Sequence, residues 1–284
     1  MQATRYPLTS VVLVATIIAL AAHSARAADR PASAADQERQ LISVLQSDAP
    51  KAEKAITCKR LVIHGTAEAV PPLAALLSDA ELASWARIAL EAIPGPEADE
   101  ALRQAMGKLQ GRLLVGVINS IGVRRAQRAV ESLAGRLEDA DPDVASAAAA
   151  ALGRIGNDAA AKVLQTSLGE APAAVRSAVA EGCILCAERA LAGGNADKAA
   201  ELYDLVRKSA APKQRIIEAT RGAILARRSE GIPLLVEQLK SADKGMFNIG
   251  LTTARELPGR EVTEALAAAA SGAAPERQGL LVGA

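Results

Sequence analysis

The fold of this chain is decided by residues 141–156, which read DPDVASAAAAALGRIG. The start is typical of a helix N-terminus, because the Asp141 carboxylate can cap free amides and Pro142 lacks an N–H that would be unpaired there. The apolar residues that follow recur at three- and four-residue steps, which places them on one helix face. Gly156 can take the left-handed conformation that ends a helix. The stretch therefore predicts one amphipathic helix with defined ends.

Similar helix starts recur along the chain. They are predicted near residues 51, 81, 112, 143, 173, 213, 244 and 276, at spacings of 30, 31, 31, 30, 40, 31 and 32. Several of these helices are expected to end alike, with apolar residues before a glycine, as at Ile121-Gly122 and Ile155-Gly156. A shorter apolar helix fits between each ending and the next start, whereas the alternation typical of strands is missing.

A helix pair of about 30 residues cannot bury its apolar stripe alone, so neighbouring pairs must stack. The sequence therefore predicts an all-α solenoid of roughly eight helix pairs over residues 36–284. The 40-residue interval predicts an irregular, longer repeat at about 173–212, with a helix from Ala173 to about Ala192 that breaks at Gly193-Gly194-Asn195. The last repeat, from Pro275, has ten residues and is expected to be truncated. We therefore expect the sequence to be a fragment of a longer chain.

The N-terminus has the pattern of an export signal. Arg5 supplies a positive charge, residues 8–22 are almost wholly apolar, and Ala25-Arg26-Ala27 has the small-x-small form of a cleavage site. Residues 1–27 are predicted to be a signal peptide and residues 28–35 a short linker, which places the mature protein in the periplasm or outside the cell. A retained membrane anchor is the alternative, but 15 residues span only about 22 Å of a core about 30 Å thick.

Composition excludes several classes of function. The chain has 65 alanines among 284 residues but only one Trp, two Tyr and one Phe, too few rings for an aromatic sugar-binding groove or a base-stacking platform. Its formal charge is +1, and removing Arg5 and Arg26 with the signal leaves 31 basic against 32 acidic residues, or −1. A near-neutral chain has no electrostatic preference for nucleic acid or an anionic membrane.

At residues 141–156 the sequence resembles the core motif of the short bacterial HEAT-like repeats, the type also found in phycobilisome lyases. That family usually has Arg after the Val, as in Val175-Arg176, whereas Ala145 follows Val144 here. The resemblance covers about residues 36–284 and is clearest from 66 to 170. It implies a right-handed α-α superhelix and says almost nothing about activity. The HEAT-like deoxyhypusine hydroxylases bind iron through His-Glu pairs, and this sequence has no such pair.

Few residues suggest chemistry. Cys183 and Cys186 form a C-x-x-C without the His of a haem attachment site, and we expect both to be small buried apolar residues, with a redox role as the alternative. His64, the one histidine left after signal cleavage, precedes Gly65 and is expected at a helix end. No Ser-His-Asp arrangement or phosphate-binding glycine loop is found. We predict no catalytic residue, no cofactor and no metal.

The remaining candidate is a surface. In solenoids of this kind, one layer of helices lines a concave face that binds partners. We predict a non-catalytic scaffold whose partner is another protein or a domain of the same longer chain, and not nucleic acid or membrane. The alternative is the accessory array of a longer secreted enzyme, for example a sugar-active one of the 3-keto-disaccharide hydrolase type, whose catalytic domain lies beyond residue 284. Trp85 shares a face with Leu82 and Ala89 and is expected to pack in the core. The candidate binding residues are Arg87, Arg112, Asn119, Glu218, Arg221, Asn248 and Arg255.

Overall fold

A computed structural model describes residues 33–284, and within that range it contains helices and connecting loops but no strand. The predicted signal peptide and most of the predicted linker lie outside the described residues. The helices are numbered here from α1 to α16 in chain order. Short 3₁₀ turns extend four of the connections, at Ala67–Ala69, Leu76–Ser78, Gln127–Ala129 and Arg228–Gly231.

The odd-numbered helices form one layer. They are α1 (Ala34–Gln46), α3 (Val70–Ala75), α5 (Pro96–Met106), α7 (Val130–Ala134), α9 (Asp158–Glu170), α11 (Ala196–Arg207), α13 (Ile232–Leu239) and α15 (Arg260–Ser271).

The even-numbered helices form the other layer. They are α2 (Lys51–His64), α4 (Ala83–Ala92), α6 (Gly111–Arg124), α8 (Pro142–Ile155), α10 (Ala173–Ala192), α12 (Lys213–Arg227), α14 (Lys244–Ala254) and α16 (Pro275–Val282). From α2 to α14, each even-numbered helix contacts the next even-numbered helix directly. Successive pairs therefore stack side by side, which is the arrangement of an α-solenoid.

Helix starts form as the sequence predicts. The Asp141 carboxylate accepts a hydrogen bond from the Asp143 amide at 2.9 Å, and Pro142 is the first residue of α8. Asn157 caps α9 in the same way through the Ala160 amide, also at 2.9 Å. A capping side chain satisfies amides that have no partner within the helix, so these two loops fix the starts of α8 and α9.

One predicted helix end is wrong. Gly122 was expected to follow the last turn of its helix, but α6 continues to Arg124 and Gly122 is buried inside it. The left-handed residue is Arg125, with φ 54°, which occupies the place that Gly156, with φ 60°, takes after α8. Counting back from these two residues aligns Ile121 with Leu152, 31 residues apart, and both side chains are fully buried.

The even-numbered helices approach closely where their contacting residues are small. A β-carbon added at Gly153 would lie 2.7 Å from the Cα of Gly182, and one added at Gly122 would lie 2.9 Å from the Cα of Ala151. Larger side chains would force these helices apart. The alanine-rich composition therefore allows close packing between α6, α8 and α10.

Arginine side chains link successive repeats. Arg136 donates a hydrogen bond to the Met106 carbonyl at 3.0 Å, Arg189 to the Arg154 carbonyl at 3.1 Å, and Arg277 to the Ser241 carbonyl at 2.7 Å. Carbonyl groups near helix C-termini lack partners within their helix, and a cation is favoured there. These contacts fix the position of one repeat relative to its neighbour.

The core is apolar throughout. One buried cluster extends from Leu41 to Ala226, and a second begins at Ile224 and extends to Leu281. Within residues 33–284, none of the helices combines the length and the hydrophobicity that a membrane crossing needs. The even-numbered layer presents its outer side to solvent, and the candidate binding residues lie there or next to it.

Candidate partner-binding surface

The solvent-exposed side of the even-numbered helices is called the even face below. Its register follows from the 31-residue period, because Leu90, Ile121, Leu152 and Cys183 are fully buried at equivalent positions. The residue two places before each of these lies on the opposite side of its helix, towards the even face. Those residues are Ile88, Asn119, Ala150 and Glu181, and none of them is buried.

Large apolar side chains are exposed on the N-terminal part of the even face. Trp85 is 41% exposed, Ile88 48%, Val123 54% and Ile63 79%. The expectation that Trp85 packs in the core is therefore wrong. Core packing at this point is supplied by Ala86 and Ala89, which leave Trp85 on the outer side of α4. We call these four exposed residues the apolar patch.

Ile88 and Val123 could have been found from the sequence. Ile88 is equivalent to Asn119, and Val123 is equivalent to Arg154, so apolar residues stand where other repeats carry polar ones. A search restricted to polar and aromatic residues misses this signal. Single exposed apolar residues are common on protein surfaces. An exposed apolar residue at a position where the other repeats carry polar ones is a stronger sign of a binding site.

Arg87 links two even-numbered helices. Its Nη1 donates to the Gly116 carbonyl and to Ser120 Oγ, both at 3.1 Å. Ser120 in turn donates to Glu91 Oε1 at 2.6 Å, and Ser120 is fully buried. The half-buried Arg87 thus takes part in a polar network between α4 and α6.

Glu218 and Arg221 also make contacts within the chain. Arg215 Nη1 lies 2.8 Å from Glu218 Oε2, and the other arm of the Arg215 guanidinium pairs with Glu181. Arg221 forms two hydrogen bonds to the Glu256 carboxylate, which lower the pKa of Glu256 and raise that of Arg221. The even face from α10 to α14 therefore carries ion pairs that run between helices.

The other four candidates lie on the even face or at its edge. Arg112 and Asn248 are exposed, and Asn119 is half-buried. Arg255, directly after α14, is exposed and lies 3.4 Å from the Gly283 carbonyl. These residues lie on α6 and at α14, so the structure does not bring the seven candidates together in one cluster.

The cysteines occupy core positions of the repeat. Cys183 is equivalent to Leu152 and Cys186 to Ile155, and both are buried and free. Burial raises the pKa of Cys183 to about 12 and that of Cys186 to about 11. A thiol that stays protonated is a poor nucleophile and a poor metal ligand. The prediction that both are small buried residues is confirmed.

His64 is the last residue of α2, as the sequence predicts, and its side chain is exposed. Among residues 33–284, no group of three or more His, Cys, Asp or Glu side chains is arranged to hold a metal ion.

A cavity of about 550 Å³ lies between α3 and α5 on the odd-numbered layer, with Val70, Pro71 and Ala101 among its lining residues. It contains none of the candidate residues.

Comparison with known proteins supports the architecture. Residues 111–183 match the family model described as HEAT repeats. No curated protein is similar enough to be counted as a relative.

Three solved structures align with most of this chain. The crystal structure of an engineered protein is 18% identical with a TM-score of 0.42, over 87% of this chain and 81% of that one. The complex of CpcE and CpcF of phycocyanin lyase from Nostoc sp. PCC7120 is 20% identical with a TM-score of 0.42, over 75% and 93%. Human deoxyhypusine hydroxylase in complex with glycerol is 17% identical with a TM-score of 0.42, over 76% and 94%.

The matched segment covers α6 to the middle of α10, and the helix pairs on both sides of it repeat the same two-layer packing. Residues 111–183 are similar to HEAT repeats, and the described chain is an α-solenoid of HEAT-like helix pairs.

Proposed function

We propose that this protein is an exported, non-catalytic scaffold that binds another protein on its even face. The observation that carries the proposal is the apolar patch, since Trp85, Ile88, Val123 and Ile63 are large, exposed and carried by neighbouring helices. Large apolar side chains at an accessible surface are typical of protein interfaces, and tryptophan is among the residues most often found at their energetic centres.

The packing of the layers supports a concave even face. The even-numbered helices meet at Gly122, Gly153 and Gly182, where the backbones come close together. Contacts between neighbouring odd-numbered helices are sparser. In a curved stack the layer with the closer spacing lies on the inside, which supports the even face as the inner surface on which a partner would rest.

A non-catalytic role is supported by the burial of the cysteine side chains, which are the strongest nucleophiles that the chain could offer. The three cysteines, Cys58, Cys183 and Cys186, are buried, and burial raises the pKa of each thiol. We expect them to contribute packing rather than thiol chemistry.

Export is proposed from residues 1–27 alone. We expect cleavage after Ala27, which would leave Ala28 as the first residue of the mature protein. Mass spectrometry of the protein isolated from a cell-envelope fraction measures this directly. A mass equal to that of the full chain, or recovery from the cytoplasmic fraction only, would contradict the proposal.

The binding proposal is tested by affinity capture from an envelope extract. The even-face variant carries Arg112→Glu and Arg255→Glu, and the matched control carries Lys162→Glu and Lys240→Glu on or next to odd-numbered helices. All four residues are exposed, so the variants differ in the location of the charge reversal and not in its size. We expect the even-face variant to lose proteins that the wild type and the control both capture. Equal capture by all three would reject the even face as the binding surface.

A further inference from the structure

The apolar patch lies on three neighbouring even-numbered helices. Ile63 is the residue before the last in α2, Trp85 and Ile88 lie one turn apart on α4, and Val123 lies near the end of α6. Helices α2 and α4 contact each other, as do α4 and α6. The patch is therefore a strip across the helices, the geometry that accepts the apolar side of a single partner helix.

Two cations flank this strip. Lys59 lies two residues before the buried Leu61, as Ile88 lies two residues before the buried Leu90, so both point to the even face. Arg112 lies three, seven and eleven residues before Val115, Asn119 and Val123, which places all four on one side of α6. Both cations are exposed, and neither has an acidic partner among residues 33–284.

The nearby carboxylates already have partners. Glu81 is paired with Lys51 at 2.6 Å, and Glu91 accepts a hydrogen bond from Ser120 at 2.6 Å and lies 3.9 Å from Arg87. The charge left for a partner on this part of the even face is therefore positive, although the chain as a whole is close to neutral. Charge complementarity favours an acidic partner.

We infer that the patch binds an acidic amphipathic helix of a partner protein, whose apolar side covers Trp85, Ile88, Val123 and Ile63 while its carboxylates pair with Lys59 and Arg112. This inference rests on the proposed function and specifies the chemistry of the partner. A protein helix fits better than a membrane because two isolated cations make only a weak attraction for an anionic lipid surface. It fits better than nucleic acid because one aromatic ring offers no stacking series.

Trp85 makes the inference measurable, because it is the single tryptophan of the chain and lies inside the patch. Its fluorescence is titrated with three peptides of about 18 residues, or five helical turns. The first is an amphipathic Leu/Glu peptide, the second is an amphipathic Leu/Lys peptide, and the third has the Leu/Glu composition in a non-amphipathic order. We expect a saturable blue shift with the first peptide alone, since it removes Trp85 from water.

Charge reversal tests the role of the cations. Lys59→Glu with Arg112→Glu is expected to weaken binding of the acidic peptide about tenfold, because two attractions become repulsions. Lys162→Glu with Lys240→Glu retains Trp85 and is expected to leave binding unchanged. Far-UV circular dichroism establishes that each variant is folded. If a variant fails to fold, the role of the two cations is tested instead on the wild type. Its binding of the acidic peptide must then weaken as ionic strength rises, because salt screens the attraction between opposite charges.

Several results would overturn the inference. They are a blue shift of equal size with the basic peptide, an equal loss in both double variants, or binding that does not depend on salt. A shift with phosphatidylglycerol vesicles but with no peptide would assign the patch to membranes. A shift that depends on the concentration of the protein alone would assign it to a second copy of the chain. The peptide titration can fail while the variant with Arg112→Glu and Arg255→Glu still loses proteins that the wild type captures from an envelope extract. In that case the inference about the acidic helix is wrong and the proposed function stands.

Discussion

Arg124, the last residue of α6, forms an ion pair with Asp99 of α5, and its Nε lies 2.5 Å from Asp99 Oδ1. The same guanidinium donates to the carbonyl oxygens of Leu90, Ile93 and Gly95 at 2.6, 2.5 and 2.8 Å. Its side chain is only 8% exposed. One arginine thus caps the C-terminal end of α4 and fixes it against α5 and α6.

We predict that Arg124→Met lowers the free energy of unfolding by about 2–4 kcal/mol, because it leaves a carboxylate and several carbonyl oxygens without their partner. Arg124→Lys is expected to restore little, since an ammonium group cannot reproduce the planar fork of hydrogen bonds. Urea unfolding followed by circular dichroism measures both.

The matched control is Arg103→Met on α5. Arg103 pairs with Glu100 at 2.7 Å, but both side chains are exposed, so we expect little change in stability. Equal losses in the Arg103 and Arg124 variants would show that burial of the Arg124 network contributes nothing.

The contact between Gly153 and Gly182 gives a second prediction. Gly153→Ala is expected to destabilise the fold by about 1–3 kcal/mol, because its new methyl group would meet the backbone of α10. Gly169→Ala in α9 is the control, since its methyl group would meet nothing within 4 Å and should stabilise the helix by about 0.5–1 kcal/mol. Thermal unfolding of both variants should shift in opposite directions. A shift in the same direction would refute the close approach of α8 and α10.

Thiol reactivity gives a third prediction. The folded protein at pH 8 should react slowly with a disulfide reagent, because Cys58, Cys183 and Cys186 are buried with raised pKa values. Denaturation in urea should release all three thiols. The variant Asn248→Cys, which places a thiol on the exposed even face, should react at once. Reaction of Cys183 or Cys186 at the rate of that exposed thiol would revive the redox role that the sequence left open.

Asp204 gives a prediction of pH dependence. Burial alone would raise its pKa, but the hydrogen bond from Arg207 and the charge of Arg227 outweigh burial, so the pKa of Asp204 lies below 3.8. Its 2.8 Å contact with Arg207 lies within α11, and its 2.8 Å contact with Arg227 joins α11 to α12. Because the folded-state pKa is the lower one, this contribution to stability is complete above about pH 4 and is lost as pH falls below it.

Asp204→Asn should therefore cost about 1–2 kcal/mol at neutral pH and reduce the loss of stability between pH 6 and pH 3. Urea midpoints at the two pH values measure the effect. Glu201→Gln, an exposed change on the same helix, is the control and should behave like the wild type. If the Asn variant loses as much stability on acidification as the wild type, Asp204 is not the group responsible.

The repeat architecture could be predicted from the sequence because it depends on local features. Capping residues such as Asp141 set helix starts, and the apolar period sets the buried side, so the two-layer stack follows from residues near each other in the chain. The end of α6 could not be predicted, since Arg125 takes a left-handed conformation that is expected of glycine and Gly122 is used for close packing instead.

The binding surface was harder to predict than the fold. Trp85 has buried neighbours at Leu82 and Ala89, yet small alanines fill the core there and leave the ring outside. Arg87 and Arg221 look free in a sequence, whereas their partners lie 29 to 35 residues away, on the next even-numbered helix or directly after it. Contacts between repeats decide which charges remain available, and they appear only when the helices are placed side by side.

The most direct test of the account is a photo-crosslinking map of both layers in living cells. A photoreactive phenylalanine analogue is placed at Ile88, Ala150 or Thr252 on the even face and at Gln104, Lys162 or Glu237 on the odd-numbered layer. The account predicts adducts with another protein from the even-face positions and none from the odd-numbered layer. Adducts that form only from Gln104, Lys162 and Glu237 would contradict a partner-binding even face.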